Sequence, residues 1–496
     1  MLLERMPCTA DSQCASAFGA GATCLASGFC SDDATGGMVV DGVSAAMVRT
    51  VGIADISGSL RDLGEGMTDG VQAAFAAYNR AHPEGRQFVH EVRDDAYDPQ
   101  QSAQLVQEVT GSVDASGRHA FAIVGSMGSP TSSAMLPTII ERRVPFFGTY
   151  SGATHLRREV PDEMVWNTRA SYRLEGETIT RHLLHRSPHA LPAGNIFAFS
   201  QAPLTITTDG EADVAVRAAD NVNTSALDPY GYSGYLGIVD ALTEAGLSEE
   251  MIPLASYRAT STKTDVAQAY FFRWVAGLEA RVGSPELLGE DLRVGIAMVP
   301  VASAATTFVQ GIIDGARQLR MGMPPPQLSA AEWAAVDPVR KAHLRTLRVD
   351  LASISPAGDQ LATNLKAASA TNAYCPGTGG LDQVLVSQVV PFPNGGSGGA
   401  NDFRADLAAF NANKTPGFVN FEGWIAGKVW IEAVNRTEGS LTVDALIDTL
   451  SDPSFSVDLA IGAPIAFPQG SHEGSMSVYG SILGTDCTYQ DFTFED

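Results

Sequence analysis

At 496 residues the chain has room for two to four domains and a substantial buried core. Its 32 Lys+Arg against 56 Asp+Glu give a formal charge of -24, which disfavours nucleic acid or anionic lipid as a main partner. No apolar run approaches the roughly 18 residues of a membrane helix, and the amino terminus carries no clear signal peptide.

The first 45 residues lack strand and helix periodicity. They hold Cys8, Cys14, Cys24 and Cys30 in a Gly/Ala/Ser-rich background too poor in apolar residues to pack a core. No C-x-x-C pair and no His stands among them, so two disulfides are expected rather than zinc, and with them an oxidising compartment. Cys375 and Cys487 remain as a third bridge or as two buried thiols.

From Met47 onward strand and helix patterns alternate. VRTVGIAD is followed by helix-like MTDGVQAAFAAYNRA, FVHEVRDD by QQSAQLVQEVTGSV, and a further strand opens at Phe121. Asp98-Pro99 reads as the cap and first residue of the second helix. A second series runs through NIFAFS, GYLGIVDALTEAG, MIPLASYR, a helix near residues 265–282, RVGIAMVP and SAATTFVQGIIDGARQL. Such alternation predicts two α/β lobes, each a parallel sheet covered by helices. Residues 164–175, MVWNTRASYRLE, lie between the series as the first crossover and hinge. The Gly-rich residues 394–399 read as a surface loop near a return crossover.

The most informative stretch is 121–156, FAIVGSMGSPTSSAMLPTIIERRVPFFGTYSGATHL. A strand opens at Gly125 into a turn rich in hydroxyls, Ser126, Ser129, Thr131 and Ser132, at the start of a helix. That chemistry suits an anion, because helix-start amides and hydroxyls both donate. A second apolar run, 144–150, ends in the similar turn Ser151-Gly152-Ala153-Thr154. Helix capping alone also accounts for these residue types.

The order of these segments resembles the periplasmic-binding-protein type I family, and within it the leucine/isoleucine/valine-binding-like substrate-binding proteins of ABC transporters. The likeness is carried by VGIADISGSLRDLGEGMTDGVQAAF, RDDAYDPQQSAQLVQEV, the Gly125 and Gly152 turns, DPYGYSGYLGIVDAL, VVPFPN and PGFVNFEGWIAGKVWIEAV. It implies two doubly wound lobes joined by a three-crossover hinge, in addition to the small disulfide-rich amino-terminal module. The expected divisions are 1–45 for the module, 46–168 for lobe 1, 169–392 for lobe 2, 393–460 for the return to lobe 1 and 461–496 for the final return to lobe 2. The crossovers are expected near 167–172, 390–394 and 460–464.

The resemblance also implies site residues. Ser129 matches the hydroxyl donor to a ligand carboxylate, and Ser151, Gly152, Ala153 and Thr154 match the second donor turn. Tyr230 matches an aromatic residue facing the cleft from the second lobe, whereas Tyr232 or Tyr235 reads as an ordinary core aromatic. Ser355, with Asp359 as the nearest carboxylate, falls near the amine-binding place or caps a helix. Leu63 stands where branched-chain binders carry an aromatic residue, and no acidic residue aligns with their amine-binding Glu.

Signals for catalysis are weak. Residues 395–399, GGSGG, formally match G-x-S-x-G but follow PFPN and lack a strand-to-helix elbow, so they read as a flexible loop. His182, His185 and His189 share a helical face and are expected to form an exposed polar stripe rather than a metal site. Asp94, Asp95 and Asp98 lack the Gly and distal Glu of an EF-hand. With no P-loop, dinucleotide fingerprint or H-E-x-x-H, no cofactor or metal is expected. The expected function is a non-enzymatic receptor, periplasmic or otherwise extracytoplasmic and possible to anchor by lipid, closing on an amino acid, amide or similar small ligand and serving an ABC transporter permease. A signalling receptor of the same fold, a serine hydrolase and a structural role are the alternatives.

Overall fold

The computed structural model describes residues 8–13, 23–24, 30–31, 42–44, 46–111, 120–186, 188–202, 229–258, 262–277, 291–368, 373–377 and 381–494. The chain divides into two compact units, Met1–Ala170 with Val390–Ser477 and Ser171–Val389 with Val478–Asp496.

In the first unit five parallel strands lie in the order Gln87–Asp94, Met47–Ala54, Ala122–Val124, Phe146–Phe147, Val165–Trp166. Counted along the chain this order is 2-1-3-4-5. The direction of winding therefore reverses between the first and third strands, and in open α/β sheets the carboxyl ends of the strands at such a reversal are where ligands bind. Helix Arg61–Ala81 packs against helix Phe418–Arg436 with glycines at the contact. A Cβ on Gly70 would lie 2.1 Å from the Asn420 carbonyl oxygen, and one on Gly423 would lie 2.2 Å from that of Met67. Asp98 caps helix Pro99–Thr110 by accepting the Gln100 and Gln101 amides, with Pro99 at its first position.

The second unit repeats the winding. Strands Leu254–Arg258, Ile196–Ala202, Arg293–Val299, Arg348–Ser353 and Leu381–Gln388 are parallel and again ordered 2-1-3-4-5. Strand Tyr479–Leu483 extends the sheet antiparallel, and Tyr489–Phe492 pairs antiparallel with it. Helices Tyr172–His185 and Pro229–Glu244 approach closely through Gly176, Gly234 and Gly237. A Cys375–Cys487 disulfide ties the segment before Leu381–Gln388 to the hairpin.

Three expectations need correction. Residues 461–477 lie in the first unit, so the third crossing falls at Ser477–Val478 rather than near 460–464. Antiparallel pairing of Ser456–Val457 with Ile465–Ala466 holds this stretch there, as do backbone bonds of Asn167 with His472 and Gly474. Gly398 and Gly399 open helix Gly398–Phe410, which Ser397 caps by accepting the Ala400 amide, so GGSGG is not simply a loop. His182 is buried against Phe492 and Phe494 and bonded to Gln383, whereas His185 and His189 are exposed, so the three do not form one exposed stripe. In the amino-terminal segment Cys8 is bonded to Cys24. Cys14 and the side chain of Cys30 lie outside the described residues.

Candidate functional site

The donor turns of the first unit sit at the carboxyl ends of its third and fourth strands, beside the reversal in winding. Gly125, Gly128 and Gly148 have φ of 65°, 107° and 60°, backbone that side-chain-bearing residues rarely adopt. Gly128 precedes helix Ser129–Arg142, so Ser129 occupies its first turn. The hydroxyls do not all remain available. Ser126 Oγ accepts the Ile53 amide at 3.0 Å and locks the turn to the first strand. Thr131 Oγ1 donates to the Met127 carbonyl, and Ser132 Oγ to that of Ser129. These three act largely within the scaffold.

Ser129 and Ser151 are brought together. Their hydroxyl oxygens are 2.9 Å apart, both residues are buried, and the Ala153 amide donates to Ser151 Oγ. A second link joins the turns, since Ser132 Oγ lies 3.1 Å from His155 Nε2. Burial, assisted by Arg157 and Arg158, lowers the His155 pKa to about 4, so the imidazole is neutral at ordinary pH. Thr154 begins the short 3-10 turn Thr154–Leu156. Next to the turns lies an apolar cluster that includes Leu63, Tyr97, Met127 and Tyr150.

Charged side chains fix neighbouring segments of the first unit. The Arg169 guanidinium donates to both Glu422 oxygens at 3.2 and 3.4 Å and lies over the Tyr150 ring at 4.9 Å. Asp55 accepts the Ser57, Gly58 and Leu60 amides and shapes the loop after the first strand. Asp95 accepts the Tyr97 amide and the Ser102 hydroxyl. Its burial outweighs those bonds and raises its pKa to about 6. These carboxylates have structural partners of their own. Among the described residues no group of three His, Cys, Asp or Glu is placed to hold a metal ion.

In the second unit Tyr230 is buried in the first turn of helix Pro229–Glu244. Its hydroxyl donates to the Pro300 carbonyl at 2.9 Å, and its ring packs edge-on against Tyr172 at 5.0 Å. Tyr232 and Tyr235 lie on the same helix, Tyr235 fully buried. Ser355 turns on a carboxylate other than Asp359. Its amide and hydroxyl donate to Glu175 at 2.8 and 3.0 Å, and the Ser387 hydroxyl donates to Glu175 at 2.6 Å. Neither Glu175 nor the Arg169–Glu422 pair was singled out from the sequence. The partners stand 180 and 253 residues apart, and only the fold brings them together.

Comparison with known proteins bears on this geometry. Residues 48–221 match the family model described as periplasmic binding protein. A possible leucine/isoleucine/valine-binding protein from Rhodopirellula baltica is similar over 91% of this chain and 97% of its own, with TM-score 0.66 and 20% identity. A fatty acid ABC transporter substrate-binding protein from Thermomonospora curvata is similar over 93% and 96%, with TM-score 0.64 and 14% identity. A branched chain amino acid ABC transporter protein from Thermus thermophilus with bound valine is similar over 91% and 97%, with TM-score 0.61 and 12% identity. No curated protein sequence matches the chain. The chain thus has the mixed α/β fold of the type I periplasmic binding proteins, and its residues 48–221 match the periplasmic binding protein family.

Proposed function

We propose that the protein is an extracytoplasmic solute receptor for an amino acid, amide or similar small polar solute, and that the first-unit donors favour the members of that class that carry a carboxylate. One observation carries the reading. The glycine-entered turn after the third strand, at the winding reversal of the first unit, is joined through Ser129 and Ser151 to the turn after the fourth strand, which puts two buried hydroxyls together beside the place where an open α/β sheet takes its ligand. Ser129, Ser151, Gly152, Ala153 and Thr154 of the first unit would hold the anion. The engagement of Ser355 by Glu175 makes Ser355 a support in this reading rather than a direct ligand.

Binding would favour a closed arrangement of the two units, because a ligand shifts only an equilibrium whose states it distinguishes. An ABC transporter permease would read that state. The Cys8–Cys24 and Cys375–Cys487 disulfides support an oxidising compartment. Calorimetric titration of ligand-stripped protein with L-amino acids, their amides and the matching organic acids, with analysis of the recovered solutes, tests the proposal. Saturable uptake of a carboxylate-bearing solute recovered intact is expected, and uptake of the neutral amides alone, or recovery of a hydrolysed product, would contradict it.

A further inference from the structure

We propose that Arg157 is a positioning residue that aims the Gly152 and Thr154 amides at the ligand's anionic group. The inference rests on the functional reading above and adds a residue that the reading does not use. The Arg157 side chain is 3% exposed, and its guanidinium donates to several acceptors of the first unit. Nη1 donates to the Ser151 carbonyl at 3.0 Å and the Ala153 carbonyl at 3.3 Å. Nη2 donates to the Arg169 carbonyl at 3.1 Å, and Nε to Glu473 Oε2 at 3.2 Å.

Those first two acceptors are the informative ones. In a planar trans peptide the carbonyl and the following N–H point in opposite directions. Drawing the Ser151 carbonyl towards Arg157 therefore turns the Gly152 N–H away from it. Drawing the Ala153 carbonyl the same way turns the Thr154 N–H away. One guanidinium thus sets the direction of two alternate amides in the turn, and its planar fork suits that task where a single ammonium does not. The remaining bonds anchor the fork. The Arg169 carbonyl immediately precedes the first crossing between units, and Glu473 stands four residues before the end of the returning segment.

Acetate, the simplest carboxylate, serves as the probe, with the Gly152 and Thr154 amide resonances of isotope-labelled full-length protein as the readout. In the wild type both amides should shift saturably with acetate. Arg157→Ala should weaken the acetate Kd by about tenfold or more, the scale of one lost charge-assisted bond, and added guanidinium ion should restore part of the loss. Arg157→Lys retains the charge but cannot hold both carbonyls, so it should also weaken binding several-fold, and it keeps the test open if the alanine variant does not fold. A wild-type acetate Kd in either variant would overturn the positioning role and leave the anion site standing. Amides that acetate leaves unmoved in the wild type would overturn both this inference and the carboxylate reading on which it rests.

Discussion

Replacing Gly70 with alanine tests how the first unit is held together. A Cβ there would lie 2.1 Å from the Asn420 carbonyl oxygen and 2.5 Å from the Trp424 nitrogen, whereas ordinary contact begins near 3.4 Å. Both obstructing atoms are backbone of helix Phe418–Arg436, so no side-chain rotation relieves the clash and the two helices must move apart by about an ångström. Overpacking of this kind costs about 1–3 kcal/mol, and backbone obstruction places it at the upper end. Alanine's better helix propensity returns about 1 kcal/mol. The net loss should be about 2 kcal/mol. Urea unfolding followed by tryptophan fluorescence measures it, because Trp424 and Trp430 lie on the displaced helix. Gly396→Ala, where nothing lies within 4 Å, is the control and should change little. A Gly70→Ala midpoint equal to or above the wild type would refute the close-packed helix contact.

Ser129→Ala should weaken binding of the native solute by about ten- to a hundredfold if a charge-assisted bond of roughly 1.5–3 kcal/mol is lost, while calorimetry of the same sample shows near-unchanged folding. Stability should fall on acidification. Burial holds His90 and His155 neutral with pKa values of about 3 and about 4, against 6.5 when unfolded, so below pH 6.5 the unfolded chain binds more protons and gains. Asp95, raised to about 6 from 3.8, and Asp69, also raised by burial, act oppositely, but burial lowers His182 and His472 as well. Denaturation midpoints at pH 7 and pH 5 should therefore decrease, less so in His155→Asn, and an equal pH slope in that variant would discard the His155 contribution. Serine at both Cys375 and Cys487 should destabilise the second unit by about 2–4 kcal/mol, since the bridge closes 112 residues, and an unchanged melting curve would argue against that constraint. Small-angle scattering should give a smaller radius of gyration with saturating solute; an unchanged radius speaks for a rigid scaffold.

Much of the architecture can be read from local chemistry. Short, nearly continuous apolar runs and intervening helical patterns announce both sheets, and Asp98-Pro99 announces a helix start because capping needs only neighbours in sequence. The glycines at 125 and 128 likewise mark turns through their own backbone freedom. The third crossing is not legible in the sequence for a physical reason: residues 461–477 have no periodic pattern, and pairing with Ser456–Val457 and with Asn167 assigns them. His182 reads as polar in sequence but is buried by Phe492 and Phe494, more than 300 residues later. Arg157 follows the donor turn so closely that it looks like one more surface charge. Its role depends on Glu473, 316 residues away.

The most direct test of the central claim is mass spectrometry of small molecules released on denaturing the purified wild type and its Ser129→Ala variant, expressed in parallel. A solute bearing an anionic group, recovered intact in near-equimolar amount from the wild type and depleted about tenfold or more in the variant, is the predicted result. Equal recovery from both, or a solute with no anionic group, would contradict it.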